Sequence, residues 1–411
     1  MLDTGNTAWL TMATILVMFM TIPALALFYG GLVRSKNLIS ILMPTIVCTA
    51  VGSILWVAVG YSWVFGTGLS GSTLGGFFGG FDKILLHGIG VHSIIKGVGV
   101  PEITYVLFQC MFAVITPALI IGAYAERLRF PAFLLFTILW SLAVYYPIAH
   151  FVWGGGWLQQ MGVIDFAGGT VVHINAGIAA LVLAIMLGRR SDYDPKRPVP
   201  AQNVPFVFIG TAMLWVGWFG FNAGSGLSAN GLDANAFLVT HLAASTAAII
   251  WMIIDWICSG KPTVIGFCTG AIAGLAAITN AAGSVDVLGA LAIGSISSVV
   301  CYFMVAIVKS KFGYDDALDA FGVHGVAGII GTILTGVFAT KAVTGGAFGA
   351  LYGNWHQLWV QVIATIFITA YSGLATYILY KVVDKLIGMR VARRVEEEGL
   401  DVYEHGESAY N

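Results

Sequence analysis

Charged residues are what this sequence lacks most. They make up only 9% of its 411 residues, against about a quarter in soluble globular domains. A soluble protein with so little charge could not cover its own surface, so the composition excludes a soluble fold, a disordered chain and a charge-rich coiled coil. The hydrophobic fraction is 58% and the mean hydropathy is +0.88. The class that remains is a polytopic α-helical membrane protein.

Net charge and paired cysteines are also missing. The 19 Lys and Arg residues nearly balance the 20 Asp and Glu residues, which leaves a net charge of -1. Because a nucleic-acid-binding surface needs an excess of basic residues, no nucleic-acid partner is indicated. The five cysteines form no CxxC or CxxH pair. The sequence therefore indicates neither a metal site nor a disulfide framework.

Long uncharged runs are what the sequence has instead. Eleven runs of at least about 18 residues contain no Asp, Glu, Lys or Arg, and each is near the length that a helix needs to cross a bilayer. The runs span residues 4–33, 37–81, 103–125, 130–164, 166–188, 198–232, 234–254, 262–285, 287–308, 320–340 and 342–380. One crossing per run predicts an all-α polytopic membrane protein with eleven transmembrane helices, formed by residues 1–383 and followed by a tail of residues 384–411.

The distribution of positive charge predicts the orientation. With eleven spans and the N-terminus outside, 16 of the 19 Lys and Arg residues fall on the inside, Lys196 and Arg197 among them, and three fall outside. The positive-inside rule therefore predicts an N-terminus outside the cell and a C-terminus in the cytosol. Residues 1–7 lack the basic residues of a signal peptide, so we expect the first run to be a retained span.

A short pattern occurs twice. The segments 172–178 and 323–329 both read Val-His-x-x-Ala-Gly-Ile, at an offset of 151 residues. They fall in the fifth and tenth runs, which cross the membrane in opposite directions. This predicts an inverted repeat of helices 1–5 and 6–10, with the eleventh helix appended. Gly177 and Gly328, each beside further small residues, are typical of faces that let two helix backbones approach closely.

His173 and His324 are the only histidines of the fifth and tenth runs. A polar side chain in an apolar span is costly and usually faces a bundle interior or a pathway. Three interpretations are open: a ring bonded to a backbone carbonyl, a pair lining a transport path, and a pair of axial haem ligands. Counted from Asp165 and Asp319, the rings lie about 12 and 8 Å from opposite charged boundaries. Contact between them requires both helices to begin below the membrane surface.

Other candidate residues cluster near the predicted outer face. Residues 215–225 are dense in aromatics and glycines, and Trp153 precedes a run of three glycines. The aromatic rings suit either a membrane-interface belt or a cation site, at which the Ser225 hydroxyl could accept a hydrogen bond. Asp165, just before the fifth helix, suits a helix N-cap or a carboxylate that attracts a cation to the outer face.

Five motifs extend the pattern over the whole chain. They read Phe-Gln-x-x-Phe-Ala at 108–113, Asp-Phe-Ala-Gly-Gly-Thr-Val-Val-His-Ile-Asn-Ala at 165–176, Trp-Phe-Gly-Phe-Asn-Ala-Gly-Ser at 218–225, Phe-Gly-Val-His-Gly at 321–325 and Gly-Leu-Asp-x-x-x-His-Gly-Glu-x-Ala-Tyr at 399–410. Together they resemble the ammonium transporter (Amt) family, within the Amt/Mep/Rh superfamily. The resemblance runs from the first span to the tail.

The resemblance implies roles for individual residues. These are ammonium recruitment at Phe112, Trp153 and Ser225, a phenylalanine gate at Phe112 and Phe221, a pore lined by His173 and His324, and a supporting carboxylate at Asp165. It also implies a homotrimer in the plasma membrane with one pore per subunit, a cytosolic P-II type regulatory protein as partner, and a regulatory role for the tail. It implies no metal, no cofactor and no enzymatic activity.

The function expected from this resemblance is ammonium transport, with methylammonium as an analogue. The protein would capture ammonium at an outer aromatic site, deprotonate it, and conduct ammonia, with or without the proton, through a hydrophobic channel lined by the two histidines. Two alternatives stay open: an ammonium sensor of transporter ancestry, and a membrane redox protein with a bis-histidine cofactor site.

Overall fold

The computed structural model describes residues 1–194 and 199–410. Lys196 and Arg197, which entered the predicted charge distribution, lie outside the described residues, as does Asn411 of the predicted tail. Within the described residues the structure is helical and contains no β-strand, only two isolated bridges between residue pairs.

Ten of the described helices are long and apolar enough to cross a membrane, and a shorter apolar helix makes eleven. They are α1 (Thr4–Leu32), α2 (Ser35–Phe65), α3 (Glu102–Tyr124), α4 (Phe130–Gln160), α5 (Gly169–Leu187), α6 (Val204–Gly226), α7 (Gly231–Ser259), α8 (Val264–Ile278), α9 (Val287–Phe312), α10 (Phe321–Phe338) and α11 (Trp355–Ile387). The predicted all-α fold of eleven helices is confirmed. The last helix continues to Ile387, past the predicted boundary at residue 383.

The helix ends define two faces of the molecule. The N face carries the N-terminus and the loops that follow the even-numbered helices; Asp3 N, for example, donates to Gly99 O at 2.8 Å. The C face carries the loops that follow the odd-numbered helices, together with the tail. Which face is extracellular stays a prediction from the positive charges.

The two helices that contain His173 and His324 begin in the same unusual way. α5 and α10 begin with π-helical turns, Gly169–Ile174 and Phe321–Gly325, and each turn contains the histidine. The preceding helix of each repeat half, α4 or α9, also contains a π-turn, at Ser141–Tyr145 or Met304–Val308. α5 starts at the N face and α10 at the C face, in accordance with an inverted repeat. Such turns occur frequently at functional sites.

Glycines bring α5 and α10 into backbone contact. A Cβ atom added to Gly177 would lie 2.2 Å from Gly325 Cα, and one added to Gly328 would lie 2.8 Å from Ile174 N. No larger residue fits at such distances without moving a backbone. The small faces predicted at Gly177 and Gly328 thus form a close helix crossing, and the two histidines lie about one helical turn from it.

A buried ion-pair cluster joins the loops of the C face. Glu126 pairs with Arg34 at 2.9 Å and with Arg190 at 2.8 Å, and Arg190 also pairs with Asp315 at 2.8 Å. Both carboxylate side chains are only 1% exposed. Burial by itself would raise the pKa of Glu126, but Arg190 and Arg34 outweigh it and hold that pKa below its ordinary value. The cluster ties together the loops after α1, α3, α5 and α9.

The tail lies against the C face. Asp401 accepts hydrogen bonds from Ile39 N at 3.0 Å and Ser40 N at 2.9 Å, and Glu404 accepts one from Phe130 N at 2.8 Å. These amides belong to the first residues of the regular part of α2 and of α4. Two tail carboxylates therefore satisfy backbone donors that a helix cannot satisfy by itself.

Candidate functional site

Four of the predicted site residues form one cluster near the N face. The rings of Phe112 (α3) and Phe221 (α6) lie 4.4 Å apart, and Trp153 (α4) meets Phe112 edge-on at 5.6 Å. The Ser225 hydroxyl donates to Phe221 O at 2.8 Å, which leaves its own oxygen free to accept a hydrogen bond. The phenylalanines are buried, whereas Trp153 and Ser225 are half-buried. We call these four residues the entry cluster.

Glycine-rich turns place the two half-buried members. Trp153 ends the regular helix Tyr146–Trp153, and three glycines then turn the chain away. Its indole N–H donates to Asp165 O at 2.9 Å, which fixes the ring against the start of α5. Ser225 lies in the short 3-10 turn Gly224–Gly226 that ends α6. Both side chains are therefore held where a helix stops at the N face.

His173 and His324 lie next to the entry cluster, on its buried side. Their ring centroids are 5.3 Å apart and their planes differ by 10°, while the Phe221 ring is 6.1 Å from His173. Both histidines are buried. Neither ring nitrogen of His173 nor Nδ1 of His324 has a hydrogen-bond partner among the described residues. A His173 ring bonded to a backbone carbonyl is therefore not what the structure shows, and its nitrogens keep their capacity for a ligand.

The two rings meet because both helices begin inside the protein body. α5 starts at Gly169 and α10 at Phe321, so each histidine lies within the first turns of a helix whose start is buried. The depths counted from Asp165 and Asp319 predict that the two rings lie apart, because that count assumes that both helices start at the membrane surface.

A narrow cavity of about 10 Å³ runs beside the histidines. Such a volume has room for about one water-sized molecule. Ile115, Leu119, Leu214 and Ile272 contribute to its apolar wall, and no Asp, Glu, Lys or Arg is among the described residues that line it. An ion entering this space would lose its hydration without gaining an opposite charge.

Asp165 has the N-cap geometry that was one of its two predicted roles. It accepts hydrogen bonds from the N–H groups of Gly168, Gly169, Thr170 and Val171 at 2.6 to 3.1 Å, and from the Thr170 hydroxyl. Burial raises the pKa of Asp165, although the Thr170 hydroxyl and the backbone donors oppose that rise. The carboxylate shapes the start of α5, so any effect on a cation acts through its charge rather than by direct contact.

Asp316 is the counterpart of Asp165 and was missed from the sequence. It lies 151 residues further on, the same offset that relates the histidines. It accepts hydrogen bonds from Ala320 N at 3.1 Å and Phe321 N at 2.8 Å, at the start of α10. Burial first and the neighbouring Asp319 carboxylate second raise the pKa of Asp316 to about 6. The repeat offset was the signal that could have found it.

Trp218 is a further residue of the site to which the sequence gave no role. Its indole stacks on His173 with centroids 5.5 Å apart and an interplanar angle of 17°. Its N–H donates to Thr279 Oγ1 of the segment after α8 at 2.8 Å. The His173 ring thus has two nearly parallel neighbours, Trp218 and His324. Sequence spacing could not predict this, because Trp218 and His173 belong to different halves of the repeat.

Comparison with known proteins places the chain in a family. The model of the Ammonium Transporter Family matches residues 8–410. An ammonium transporter of Aquifex aeolicus is 50% identical over 410 residues, covering 100% of this chain and 94% of that protein. An ammonium transporter of Bacillus subtilis is 45% identical over 407 residues, covering 99% and 98% respectively.

Solved structures agree with this assignment. The crystal structure of Candida albicans Mep2 superposes with a TM-score of 0.88 at 36% identity, covering 100% of this chain and 91% of that one. A structure described as a sensor Amt protein gives a TM-score of 0.89 at 30% identity, covering 98% of each chain. Family model, relatives and structures agree over nearly the whole length, and the chain belongs to the ammonium transporter family.

Proposed function

We propose that this protein transports ammonium and captures it as a cation at the entry cluster. Ammonium is the dominant form at neutral pH, so the first site has to bind a charged molecule. The faces of Phe112 and Trp153 attract a cation through their quadrupoles, and the Ser225 oxygen accepts an N–H bond. These contacts replace part of the hydration shell. The half-buried positions of Trp153 and Ser225 support capture from the N face, which the positive charges predict to be extracellular.

Below this cluster the proposed path admits only a neutral molecule. Phe112 and Phe221 close the way, and the cavity beyond them is apolar. A bare cation in such a region faces a Born cost of order 20 kcal/mol. Ammonium therefore gives up its proton, either to water at the N face or to the ring nitrogens of His173 and His324, and ammonia passes along those nitrogens. Potassium resembles ammonium in size and charge but has no proton to lose, so the pore rejects it where the entry cluster does not.

The observation that carries this proposal is the histidine pair, stacked at 5.3 Å in an apolar cavity with unpartnered nitrogens. Solid-supported-membrane electrophysiology on proteoliposomes tests it with pulses of ammonium, methylammonium and potassium. A current with ammonium and none with potassium indicates that charge crosses together with ammonia. Alkalinisation of the lumen without current indicates conduction of ammonia alone. If ammonium pulses produce neither a current nor alkalinisation of the lumen, the transport proposal is contradicted.

A sensor is the second candidate, supported by the structure described as a sensor Amt protein. A sensor retains the entry cluster but passes no substrate. Ammonium would then raise the melting temperature of the purified protein, while the same preparation would give neither current nor luminal alkalinisation. The two measurements on one sample separate the candidates.

The geometry does not favour the redox alternative. Axial ligands bind through nitrogen lone pairs that lie in the ring planes and point at a metal between them. The ring centroids of His173 and His324 are only 5.3 Å apart, and the cavity beside them, of about 10 Å³, has no room for a macrocycle. A planar cofactor between the two nitrogens would require both rings to turn and the helix crossing at Gly177 to open.

We further propose that the protein forms a homotrimer, with one pore per subunit, in the plasma membrane, and that the tail takes part in regulation by a cytosolic P-II type protein. Support comes from family membership and from the ordered packing of the tail on the C face. Because Asp401 and Glu404 cap α2 and α4, movement of the tail changes the ends of two membrane helices. The face that would meet a regulator is the one that carries the ion-pair cluster.

Truncation after Ile387 tests the role of the tail. We expect reduced ammonium transport and an intact oligomer, since the eleven helices remain. Size-exclusion chromatography with light scattering measures the oligomer, and titration with a P-II protein measures binding and stoichiometry. A control variant, E407Q, changes a tail carboxylate with no hydrogen bond or ion pair in the described contacts. Full activity and unchanged regulator binding after truncation would make the tail a passive segment.

A further inference from the structure

His150, three residues before Trp153, is buried and bridges two other segments. Its Nδ1 lies 2.7 Å from Val64 O, and its Nε2 lies 3.0 Å from Gly75 O. Its side chain is at the edge of a cavity of about 590 Å³ on the N face, beside the loop of residues 66–80, here called the glycine loop. The residue is only 2% exposed.

Both partners of the imidazole are acceptors. A neutral ring has one N–H donor and one bare nitrogen, so it can satisfy only one carbonyl and sets a lone pair against the other. An imidazolium has two donors and satisfies both. The site also lies at two helix C-termini, because Val64 is in the last turn of α2 and His150 is in the last turn of the regular helix Tyr146–Trp153. Helix C-termini favour a positive charge.

The backbone of His150 organises the turn that follows Trp153. Its carbonyl accepts hydrogen bonds from Gly154 N and Gly156 N, each at 3.0 Å. A Cβ on Gly154 would lie 2.0 Å from Val64 O and 2.6 Å from His150 Nδ1, so only glycine allows the turn to fold onto the ring. One residue thus joins the end of α2, the glycine loop and the turn that carries Trp153.

We propose that His150 is a positioning residue for cation capture: by bridging Val64 O and Gly75 O, its ring holds the glycine loop and the end of α2 against α4 and so keeps the Trp153 ring in place beside Phe112. The inference rests on the proposed function of the entry cluster and adds a residue outside it. His150 does not touch the substrate; it acts through Trp153.

The experiment measures the apparent KM for ammonium and the maximal flux in proteoliposomes at one fixed pH. The variants are H150A and H150Q, with H92A as a control because His92 is an exposed histidine of the same face. W153A reports on the entry cluster itself. The melting temperature of each purified variant is measured alongside.

We expect H150A to raise the apparent KM by about threefold to tenfold, the size of a weakened cation–π contact, with maximal flux little changed. H150Q retains one donor and should fall between wild type and H150A. H92A should match wild type in both KM and maximal flux.

Two results would overturn the proposal in distinguishable ways. If W153A weakens capture while H150A retains the wild-type KM, His150 plays no part in capture and the entry cluster stands. If W153A leaves capture unchanged, the entry cluster is wrong and the role of His150 falls with it. If H150A does not fold, the decision rests on H150Q, which has to raise the apparent KM above that of wild type.

Discussion

The starts of α5 and α10 are equivalent in the inverted repeat, yet they differ in charge. Asp165 receives hydrogen bonds from uncharged donors only, and no cation pairs with it in the described part of the chain. Asp316 caps α10 in the same manner, but beside it Lys309 and Asp319 form an ion pair. The N-face carboxylate is thus unneutralised and close to the entry cluster, whereas its C-face counterpart lies among paired charges.

This difference separates the shape of the site from its electrostatics. One cap geometry builds both histidine helices, since each carboxylate satisfies the first N–H groups of a buried helix start. The charges around the cap then decide where a cation is attracted. A symmetric scaffold therefore carries an asymmetric field, with the unneutralised carboxylate on the side of the aromatic residues.

The largest effect should come from the histidines, where the two halves are most alike. We expect H173L and H324L each to lower ammonium transport to less than about a tenth of wild type, because each removes one of the two imidazoles that line an otherwise apolar path. Transport assays in proteoliposomes measure this, with H241L as a control for an exposed histidine in α7. If one variant transports like wild type, the two halves are not functionally equivalent.

The second largest effect should be on the free energy of unfolding, which we expect to fall more for a change at the C face than for one at the N face. E126Q leaves Arg34 and Arg190 with an uncharged partner in a buried site, and breaking such a pair costs about 3–5 kcal/mol. D165N keeps an oxygen acceptor at the cap, so we expect a smaller loss of about 1–2 kcal/mol. Unfolding titrations in mixed detergent measure both. E398Q, in an exposed pair with Arg394, is the control and should change nothing measurable. A loss for D165N as large as that for E126Q would contradict the comparison.

Capture should weaken moderately when the entry cluster is altered. We expect F112A, W153A and S225A each to raise the half-saturating concentration of ammonium by up to about tenfold, the limit set by a cation–π contact of 1–2 kcal/mol. Methylammonium should follow ammonium. W355A is the control, since Trp355 is exposed at the N-face start of α11. Unchanged values in all three variants would place capture elsewhere.

The smallest effect should be on how the free energy of unfolding changes with acid, because Glu126 and Asp316 contribute to it in opposite directions. The pKa of Glu126 is lowered, mainly by Arg190 against the effect of burial, so its stabilisation is present above its unfolded pKa and is lost as the pH falls. The pKa of Asp316 is raised by burial to about 6, so the folded state binds this proton more readily and gains stability as the pH falls through 6.

Wild type should therefore gain about 1 kcal/mol from neutral to mildly acidic pH and lose stability below about pH 4. D316N should reduce the gain, and E126Q should reduce the loss. Unfolding titrations at stepped pH measure both slopes. A D316N variant that keeps the wild-type gain would mean that Asp316 does not bind the proton.

Much of the fold could be predicted from the sequence, because the bilayer constrains helix length and charge so strongly. The eleven uncharged runs predicted the helices, and the offset between His173 and His324 predicted the repeat. The contact between the two rings could not be derived, since it depends on buried helix starts that no run length reveals. The same offset of 151 residues relates Asp316 to Asp165. The stacking of Trp218 and the bridging of His150 arise from chain segments far apart in the sequence.

The capping of α2 and α4 by the tail has a consequence for biosynthesis. Translation proceeds from the N-terminus, so α2 and α4 enter the membrane long before Asp401 and Glu404 leave the ribosome. Until then the first amides of both helices have only water as a partner. Docking of the tail is thus a final maturation step, and a chain that lost its tail to premature termination or proteolysis would keep the nascent state of the C face.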